Sequence, residues 1–178
     1  MSRILFIRHA ETEMAGRFCG HSDPDLNAQG RAQLMDLARL LSAETIEEVY
    51  SSDLRRAQST AQAIAAARSI PLSLRPALRE IDFGQWEGLS WAQIEDRHPE
   101  YSRNWAAGYP HHPAPGGEEF HAFKARILGE VNHLLDCGPV AVVTHAGVLR
   151  VVLQHLCGCS EREAWKQTRE YCCVIHFE

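Results

Sequence analysis

The hydrophobic positions of the chain fall into short apolar runs that alternate with longer segments of helical periodicity. The runs at residues 4–7, 49–51 and 140–144 are typical of strands that are buried on both faces of a sheet. Between them, apolar residues recur at spacings of three and four, as they do from Ala28 to Leu41, which is typical of amphipathic helices. Strands that alternate with helices predict an α/β fold, a three-layer sandwich with a mostly parallel central sheet covered on both faces.

Turn and capping signals place the remaining elements. Residues 72–74 fit an edge strand between two prolines, and residues 172–177 fit the closing strand. Asp53 is predicted to cap the helix after the second strand, because a carboxylate accepts hydrogen bonds from the first free N–H groups of a helix. Ser160, with Glu163 three residues later, predicts a capping box. Further helices are expected over residues 91–97, 120–134 and 148–156.

Length, composition and net charge limit the domain number, the partners and the location that can be expected of the protein. A chain of 178 residues with 45% hydrophobic and 23% charged residues is expected to form one globular domain over residues 1–178. The net charge of −5 disfavours nucleic acids and anionic membranes as partners, so an anionic ligand needs a local cluster of positive charge. The sequence shows neither an apolar run of the ~18 residues that a membrane span needs nor a signal peptide. A cytoplasmic protein is therefore expected.

The six cysteines do not predict disulfides or a metal site. Thiols stay reduced in the cytosol, and the pairs Cys157-x-Cys159 and Cys172-Cys173 lack the usual spacing of structural zinc ligands, although histidines lie nearby. Cysteines in apolar segments are more often small buried side chains. We therefore expect the four cysteines of these two pairs to be buried thiols, and no bound metal.

Polar turns after the predicted strands carry the candidate chemistry. Arg8 and His9 follow the first strand, Arg56 lies near the start of the helix after the second, and His145 follows residues 140–144. Because parallel strands end at the same edge of a sheet, these turns should open on one pocket. Guanidinium groups bind phosphate oxygens, and a neutral imidazole nitrogen can accept a phosphoryl group. The pattern predicts a phosphate site with a nucleophilic histidine.

Phosphoryl transfer also needs an acid for the departing oxygen. Glu80 and Asp82 lie at the end of another extended segment, and Asp82 is interpreted as structural. The alternative for Glu80 is an ion pair with Arg79 or Arg75. The His111-His112 pair is interpreted as solvated or as part of a substrate rim, since adjacent residues of an extended segment point in opposite directions.

Six motifs, in the same order as in the family, resemble the histidine phosphatase superfamily, which has the phosphoglycerate-mutase-like fold. They extend from near the N-terminus to the last strand, so the resemblance covers the whole chain. The motifs are Arg8-His9-Ala10-Glu11-Thr12, Asp25-Leu26-Asn27-Ala28-Gln29-Gly30, Ser51-Ser52-Asp53-Leu54-Arg55-Arg56-Ala57 through Thr60-Ala61, residues 78–84 with Trp86-Glu87-Gly88, Pro115-Gly116-Gly117-Glu118, and Thr144-His145-Ala146-Gly147-Val148.

The resemblance implies a role for each matched residue. His9 would be the nucleophile that becomes phosphohistidine, and Glu80 would give a proton to the leaving group. Thr12 is an additional candidate for substrate binding, and neither a metal nor another cofactor is needed. His21 is a further candidate for substrate binding because of its position in the loop after the nucleophile, outside the six motifs. The residues implied to hold the phosphate are Arg8, Arg56 and His145.

Two positions depart from the family pattern. The residue after the nucleophile is usually glycine, and here it is Ala10, which is small enough to be tolerated. Six residues after the nucleophile the family often has an asparagine that binds the phosphate, and here the residue is Ala15. We expect weaker phosphate binding there, or a replacement donor from residues 16–22.

The resemblance implies a metal-independent phosphomonoesterase that acts on a small phosphorylated metabolite. Within the superfamily the chain is most similar to the α-ribazole phosphatases, which act on α-ribazole 5'-phosphate in cobalamin synthesis. Residues 84–116 would form a variable insert over the substrate, and its aromatic residues would form a local core and a wall for the leaving group. The oligomeric state stays open.

Three other functions are alternatives: a cofactor-dependent phosphoglycerate mutase, a phosphohistidine-protein phosphatase and a non-catalytic phosphate-binding module. A mutase would need extra basic residues in the insert, which carries only Arg97 and Arg103 between Gly88 and Gly116. A binding module would be expected to lack the nucleophile or the acid. Hydrolysis is therefore favoured.

Overall fold

The central sheet is built from the apolar runs of the sequence. The computed structural model describes residues 3–177. Within that range the sheet has the strand order β3-β2-β4-β1-β5, in which β5 is antiparallel to β1 and the other neighbours are parallel. The predicted mostly parallel sheet is confirmed. The strands are β1 (Ile4–Arg8), β2 (Glu48–Ser51), β3 (Leu72–Leu74), β4 (Val140–Thr144) and β5 (Val174–Phe177).

Helices pack on both faces of the sheet. The α-helices of the described range are α1 (Ala28–Leu40), α2 (Arg55–Arg68), α3 (Trp91–Arg97), α4 (Pro99–Gly108), α5 (Phe120–Leu134), α6 (Ala146–Leu156) and α7 (Glu161–Gln167). Single 3-10 turns occur at Pro76–Leu78 and Gly84–Trp86.

Alternate residues of β1 enter two separate cores. Ile4 and Phe6 pack in a cluster with residues of α5 and α6, whereas Leu5 and Ile7 pack with residues of α1 and α2. This separation follows from the strand geometry, since successive side chains point to opposite faces of a sheet. The three-layer α/β/α sandwich is thus confirmed.

Residues 84–116 contain a third, smaller core. Trp86 and Ile94 are fully buried in it, and Phe18, Trp91 and Trp105 pack against them. The predicted helix α3 is present, but α4 was not predicted. Only Ser102 of α4 is buried, so this helix has too little apolar periodicity to be found in the sequence.

The predicted cap of α2 is wrong. Leu54 occupies the N-cap position without a side-chain hydrogen bond. The Asp53 carboxylate instead accepts two hydrogen bonds from Arg79, at 2.7 and 2.5 Å. The N–H of Arg55 at the start of the helix donates to Asp23, at 2.7 Å. A residue distant in sequence thus supplies the acceptor that was expected from Asp53.

Two secondary-structure elements begin at residues other than those predicted. Helix α6 begins at Ala146, two residues before the predicted start. Strand β5 begins at Val174 rather than at residue 172, because Cys172 has a φ of 55°, a left-handed conformation that interrupts an extended strand. The capping box of Ser160 and Glu163 is confirmed.

The cysteines do not behave as expected. Of the four cysteines expected to be buried, Cys157 is exposed and Cys159, Cys172 and Cys173 are half-buried, so that prediction is wrong. In the part of the chain that the structure describes, no group of three or more histidine, cysteine or acidic side chains is arranged to hold a metal ion. No helix between residues 3 and 177 has the length and apolar character needed to cross a bilayer.

Candidate active site

The turns after β1 and β4 lie side by side at one edge of the sheet. Arg8 is paired in register with Thr144, and the His9 N–H donates to the Thr144 carbonyl at 2.9 Å. As a result, the ring centroids of His9 and His145 are 5.1 Å apart. Both residues are buried, with 7% and 0% of their surface exposed. The structure thus brings the two strand-end histidines together.

The His9 ring presents an unprotonated nitrogen. Its Nδ1 lies 2.7 Å from the carbonyl oxygen of Ala10. Because a carbonyl oxygen can only accept, Nδ1 carries the hydrogen and Nε2 keeps its lone pair. Burial lowers the pKa of His9 well below its ordinary value, and the positive charges of Arg56 and Arg8 lower it further. The ring is therefore neutral at pH 7, as a nucleophile must be.

Three buried nitrogens near His9 have no hydrogen-bond partner within residues 3–177. They are Nε of Arg8, Nε of Arg56 and Nδ1 of His145. Buried polar atoms normally have a partner, so this set of nitrogens is suited to an anion. One Nη of Arg8 donates to the backbone carbonyls of Thr168 and Arg169. Both Nη atoms of Arg56 donate to backbone carbonyls, those of Cys19, Gly20 and Ser22.

The Glu80 carboxylate is fixed by backbone donors on two sides. Its Oε2 accepts from the Gly147 N–H at 2.9 Å, and its Oε1 accepts from the Ile81 N–H at 3.0 Å. Glycine is needed at position 147, because a Cβ there would overlap the carboxylate. Glu80 is 8% exposed, so its carboxyl group has a defined position.

The alternative interpretation of Glu80 as an ion-pair partner is wrong. Arg79 pairs with Asp53, and Arg75 lies 3.4 Å from Glu130. Each neighbouring arginine is thus engaged elsewhere.

Arg126 holds the backbone that leads to Glu80. Its Nε and one Nη bind the two oxygens of Glu118, each at 2.8 Å. The remaining hydrogen bonds go to the carbonyls of Ala77, Arg79 and Glu80, at 2.7 to 2.9 Å. A planar guanidinium group can serve this many acceptors in fixed directions. Helix α5 thereby positions the Glu80 segment.

Residues 19–22 form a loop that Glu87 holds in place. The Glu87 carboxylate accepts from the backbone N–H groups of Gly20, His21 and Ser22. Burial acts to raise the pKa of Glu87, but hydrogen bonds from Ser22 and from the backbone outweigh it, and the pKa is lowered. The His21 Nε2 lies 3.1 Å from the Glu80 carbonyl. His21 thus contacts the backbone of Glu80 and does not line the cavities described next.

Two cavities meet at Glu80, Phe83 and Arg150. The histidine cavity has a volume of about 250 Å³ and is also lined by Arg8, His9, Thr12, Arg17, Cys19 and Tyr171. The aromatic cavity has a volume of about 270 Å³ and is also lined by Tyr109, His111, Phe120, Phe123, Lys124 and Glu161. Glu80 faces both cavities, so it lies between the nucleophile and a second space.

Most of the predicted site residues come together. His9, Arg8, Glu80 and Thr12 line the histidine cavity. Arg56 and His145 are fully buried beside it. The charge of Arg56 lowers the pKa of both histidines, and the His145 ring lies next to that of His9. Three residues that lie close to candidate residues in the sequence line neither of the two cavities. Arg55 is exposed and pairs with Asp25, Asp82 accepts from the Gly84 N–H, and His112 lines neither cavity.

Sequence reasoning missed Arg150 and Tyr171. Arg150 donates to the Thr168 hydroxyl at 3.2 Å, and its guanidinium carbon lies 3.4 Å from the ring centroid of Trp165. Its position one helical turn after Ala146 is a signal that could have found it, because residues four apart share a helix face. The Tyr171 ring lies 4.0 Å from the Arg8 guanidinium carbon. No local pattern indicates Tyr171.

Comparison with known proteins gives the family. A family model described as the histidine phosphatase superfamily (branch 1) matches residues 4–178. The chain belongs to the histidine phosphatase superfamily. This membership confirms the resemblance seen in the six sequence motifs.

Several known proteins are similar to the chain over most of its length. The adenosylcobalamin/alpha-ribazole phosphatase of Escherichia coli (strain K12) is 32% identical over 171 residues, with 92% of this chain and 83% of the relative covered. Phosphoserine phosphatase 1 of Hydrogenobacter thermophilus is 32% identical over 186 residues, with 100% and 88% covered. The crystal structure of the alpha-ribazole phosphatase from Shigella flexneri superposes with a TM-score of 0.87 at 28% identity, with 99% and 90% covered.

These relatives are all named as phosphatases but differ in their named substrates. Their names support a phosphatase, that is, a hydrolase acting on small phosphorylated substrates. They do not agree on one substrate.

Proposed function

We propose that this histidine phosphatase is a phosphomonoesterase that works through a phosphohistidine on His9, without a metal or another cofactor. The observation that carries the proposal is the set of three unpartnered buried nitrogens on Arg8, Arg56 and His145. They lie beside a neutral imidazole whose Nε2 has a free lone pair. Fixed positive charge and N–H donors are what the equatorial oxygens of a transferring phosphoryl group require.

In the first half-reaction, the lone pair of His9 Nε2 forms a bond to phosphorus. The bond between phosphorus and the ester oxygen breaks, and its electrons stay on that oxygen. The Glu80 carboxyl group gives its proton to the departing oxygen, so an alcohol leaves and phosphohistidine remains. The place of Glu80 between the two cavities supports this role, because the scissile bond of an ester that spans both cavities would lie next to its carboxyl group.

In the second half-reaction, the Glu80 carboxylate takes a proton from water, and the water oxygen forms a bond to phosphorus. The bond between phosphorus and Nε2 breaks, inorganic phosphate leaves, and His9 is neutral again. One carboxyl group thus serves as acid and then as base. Its two backbone donors keep it in the same position for both steps.

A replacement for the family asparagine is available in the loop after Ala15. Arg17 lines the histidine cavity and donates to the Gly88 carbonyl through one of its guanidinium nitrogens. We assign Arg17 the role of additional phosphate donor, because guanidinium groups bind phosphate oxygens well. Ala10 is fully buried, so its methyl group is accommodated beside the nucleophile.

The aromatic cavity suits a leaving group with a planar ring. Phe83, Tyr109 and Phe120 supply apolar surface, and Lys124 and Arg150 supply donors for hydroxyl groups. Of the substrates named for the relatives, α-ribazole 5'-phosphate fits this lining better than phosphoserine, whose leaving group is small and charged. We therefore propose α-ribazole 5'-phosphate, an ester of cobalamin synthesis, as the substrate.

We propose that residues 84–116 form the segment that covers the bound substrate. Trp91, in the first helix of the segment, lines the histidine cavity. Tyr109 lines the aromatic cavity. Of the aromatic residues expected to form a wall, Trp86 is fully buried and serves the local core instead.

The covalent step is tested by isolating the phosphoenzyme. A brief pulse with p-nitrophenyl phosphate, quenched with alkaline detergent, should leave phosphate on the wild type that is stable to base and is released by acid. His9→Ala should form none, whereas His133→Ala, at an exposed helix position, should match the wild type. Absence of labelled wild-type enzyme during active turnover would contradict the covalent mechanism.

The substrate is tested separately with a panel of esters. The kcat/KM for α-ribazole 5'-phosphate should exceed the values for phosphoserine and for sugar and nucleotide monophosphates. Equal values across the panel would overturn the substrate assignment and leave the phosphatase intact. Transfer of the phosphoryl group to 3-phosphoglycerate without release of phosphate would instead identify a mutase.

A further inference from the structure

The hydroxyl group of Ser52 lies against the ring of His145. Ser52 directly follows β2, and both residues are 0% exposed. The Ser52 Oγ is 2.9 Å from the His145 Nε2. The same Oγ accepts a hydrogen bond from the Leu54 N–H, at 3.3 Å. Thus one serine oxygen joins the start of α2 to the second histidine of the site.

The hydrogens can be assigned by counting donors and acceptors. Burial lowers the pKa of His145 well below its ordinary value, and the charge of Arg56 adds to this effect, so the ring is neutral and carries one N–H. If that hydrogen were on Nε2, the Ser52 oxygen would receive two donors and its own hydrogen would be buried without an acceptor. If the hydrogen is on Nδ1, the Ser52 hydroxyl donates to Nε2 and each atom of the contact is satisfied.

The choice of tautomer matters for the anion. The His145 Nδ1 is one of the three buried nitrogens without a partner in residues 3–177. With a hydrogen, Nδ1 attracts a phosphate oxygen. Without one, its lone pair repels that oxygen. The nitrogen that carries the hydrogen is set by the hydrogen bond at the other nitrogen.

We propose that Ser52 is a positioning residue, which donates its hydroxyl hydrogen to His145 Nε2 and so keeps the hydrogen of the ring on Nδ1, directed to the phosphoryl group. This inference rests on the proposed phosphatase function. Ser52 acts only through His145 and does not touch the reacting atoms.

The direct test is the tautomer of His145 in the wild type, read from ¹⁵N and ¹³C NMR shifts of labelled histidine rings at pH 7.5, with His145→Gln to assign the signals. A protonated Nδ1 is expected. Ser52→Ala should allow the Nε2–H form to appear and should lower kcat/KM by about 10- to 100-fold, by analogy with the loss of a hydrogen-bond partner of a metal-binding histidine. Ser52→Thr, which keeps the hydroxyl group, should restore most of the activity.

Ser51→Ala is the matched control. Ser51 is also fully buried and is adjacent in the chain, but its hydroxyl donates to the Ser52 carbonyl, at 2.8 Å, and not to a histidine. Its loss should change kcat/KM by less than about threefold and leave the His145 signals in place, since a single hydrogen bond contributes little to net stability.

Two outcomes would overturn the inference. One is an Nε2-protonated His145 in the wild type, and the other is an unchanged tautomer in Ser52→Ala. Both differ from a failure of the proposed function, because the phosphoenzyme on His9 is measured in the wild type independently of Ser52.

Discussion

The carboxylate of Glu80 and the backbone of Gly147 are in direct contact, with 2.9 Å between Oε2 and the glycine nitrogen. Glu80 follows the 3-10 turn after β3, and Gly147 lies in the first turn of α6. The hydrogen bond therefore connects two elements that approach the sheet edge from different parts of the chain. It places the proposed proton donor next to His145, the N-cap residue of α6.

Gly147→Ala should displace Glu80 and reduce activity without unfolding the protein. The new Cβ would overlap the carboxylate, and a displaced acid loses its contribution to catalysis, which is about 10²- to 10⁴-fold. We expect kcat to fall by roughly 10²-fold or more, measured with p-nitrophenyl phosphate. Gly129→Ala is the matched control, because a Cβ at that helical position meets no atom within 4 Å. An unchanged kcat in Gly147→Ala would contradict the role of Glu80.

Removal of the Arg126 guanidinium should lower both stability and kcat. Arg126→Met removes the two hydrogen bonds to the Glu118 carboxylate and the three to backbone carbonyls. Hydrogen bonds to charged groups contribute about 1.5–3 kcal/mol each. We expect a loss of roughly 2–4 kcal/mol in the free energy of unfolding, since water can replace part of the network. Urea denaturation measures it.

The control for Arg126 is a surface arginine. Arg39 pairs with Asp36, and both side chains are more than two-thirds exposed, at 74% and 78%. Arg39→Met should therefore leave stability within about 0.5 kcal/mol of the wild type and kcat unchanged. Arg126→Lys should recover little, because a single ammonium group cannot serve the same acceptors. Wild-type behaviour of Arg126→Met would show that α5 does not position Glu80.

The stability of the protein should fall as the pH is lowered through the range below 6.5. The pKa values of His9 and His145 are lowered in the folded state, mainly by burial and then by Arg56. Below the ordinary pKa of about 6.5 the unfolded chain binds protons that the folded chain does not. Each buried histidine should then cost up to about 1.4 kcal/mol per pH unit. Urea denaturation between pH 7.5 and 5.5 measures this slope.

Replacement of one histidine tests the origin of the pH dependence. His145→Gln should reduce the slope by up to half, because one of the two buried titrating groups is removed. His155→Gln, at an exposed position of α6, should leave the slope unchanged. A wild-type stability that is constant from pH 7.5 to 5.5 would show that the two histidines are not held neutral.

Arg150 should govern affinity for substrates with large leaving groups. It lies where the two cavities meet and is stacked on Trp165. Arg150→Met should raise KM for α-ribazole 5'-phosphate about tenfold, the effect of one lost hydrogen bond to a substrate hydroxyl. The KM for p-nitrophenyl phosphate, which lacks hydroxyl groups, should change less. An equal rise for both esters would place Arg150 at the phosphate instead.

The sequence by itself determined the sheet and much of the site, for local reasons. Runs such as residues 140–144 are apolar throughout because a central parallel strand is buried on both faces. Once Arg8-His9 and His145 follow two such strands, their meeting at one edge is a consequence of parallel pairing. These features depend on the periodicity of the apolar residues and on the order of the strands and motifs along the chain.

Only the tertiary structure decided which partner each polar side chain has. Asp53 was expected to cap a helix, but Arg79 lies within reach of it and Asp23 serves the helix instead. Arg126 and Tyr171 contact residues of the site because segments that are distant in the sequence pack together. Ser52 contacts His145 although the two residues are 93 positions apart in the chain. Donor and acceptor of a hydrogen bond are typically about 2.7–3.2 Å apart. That distance is set by how helices and loops pack on the sheet, which no local pattern specifies.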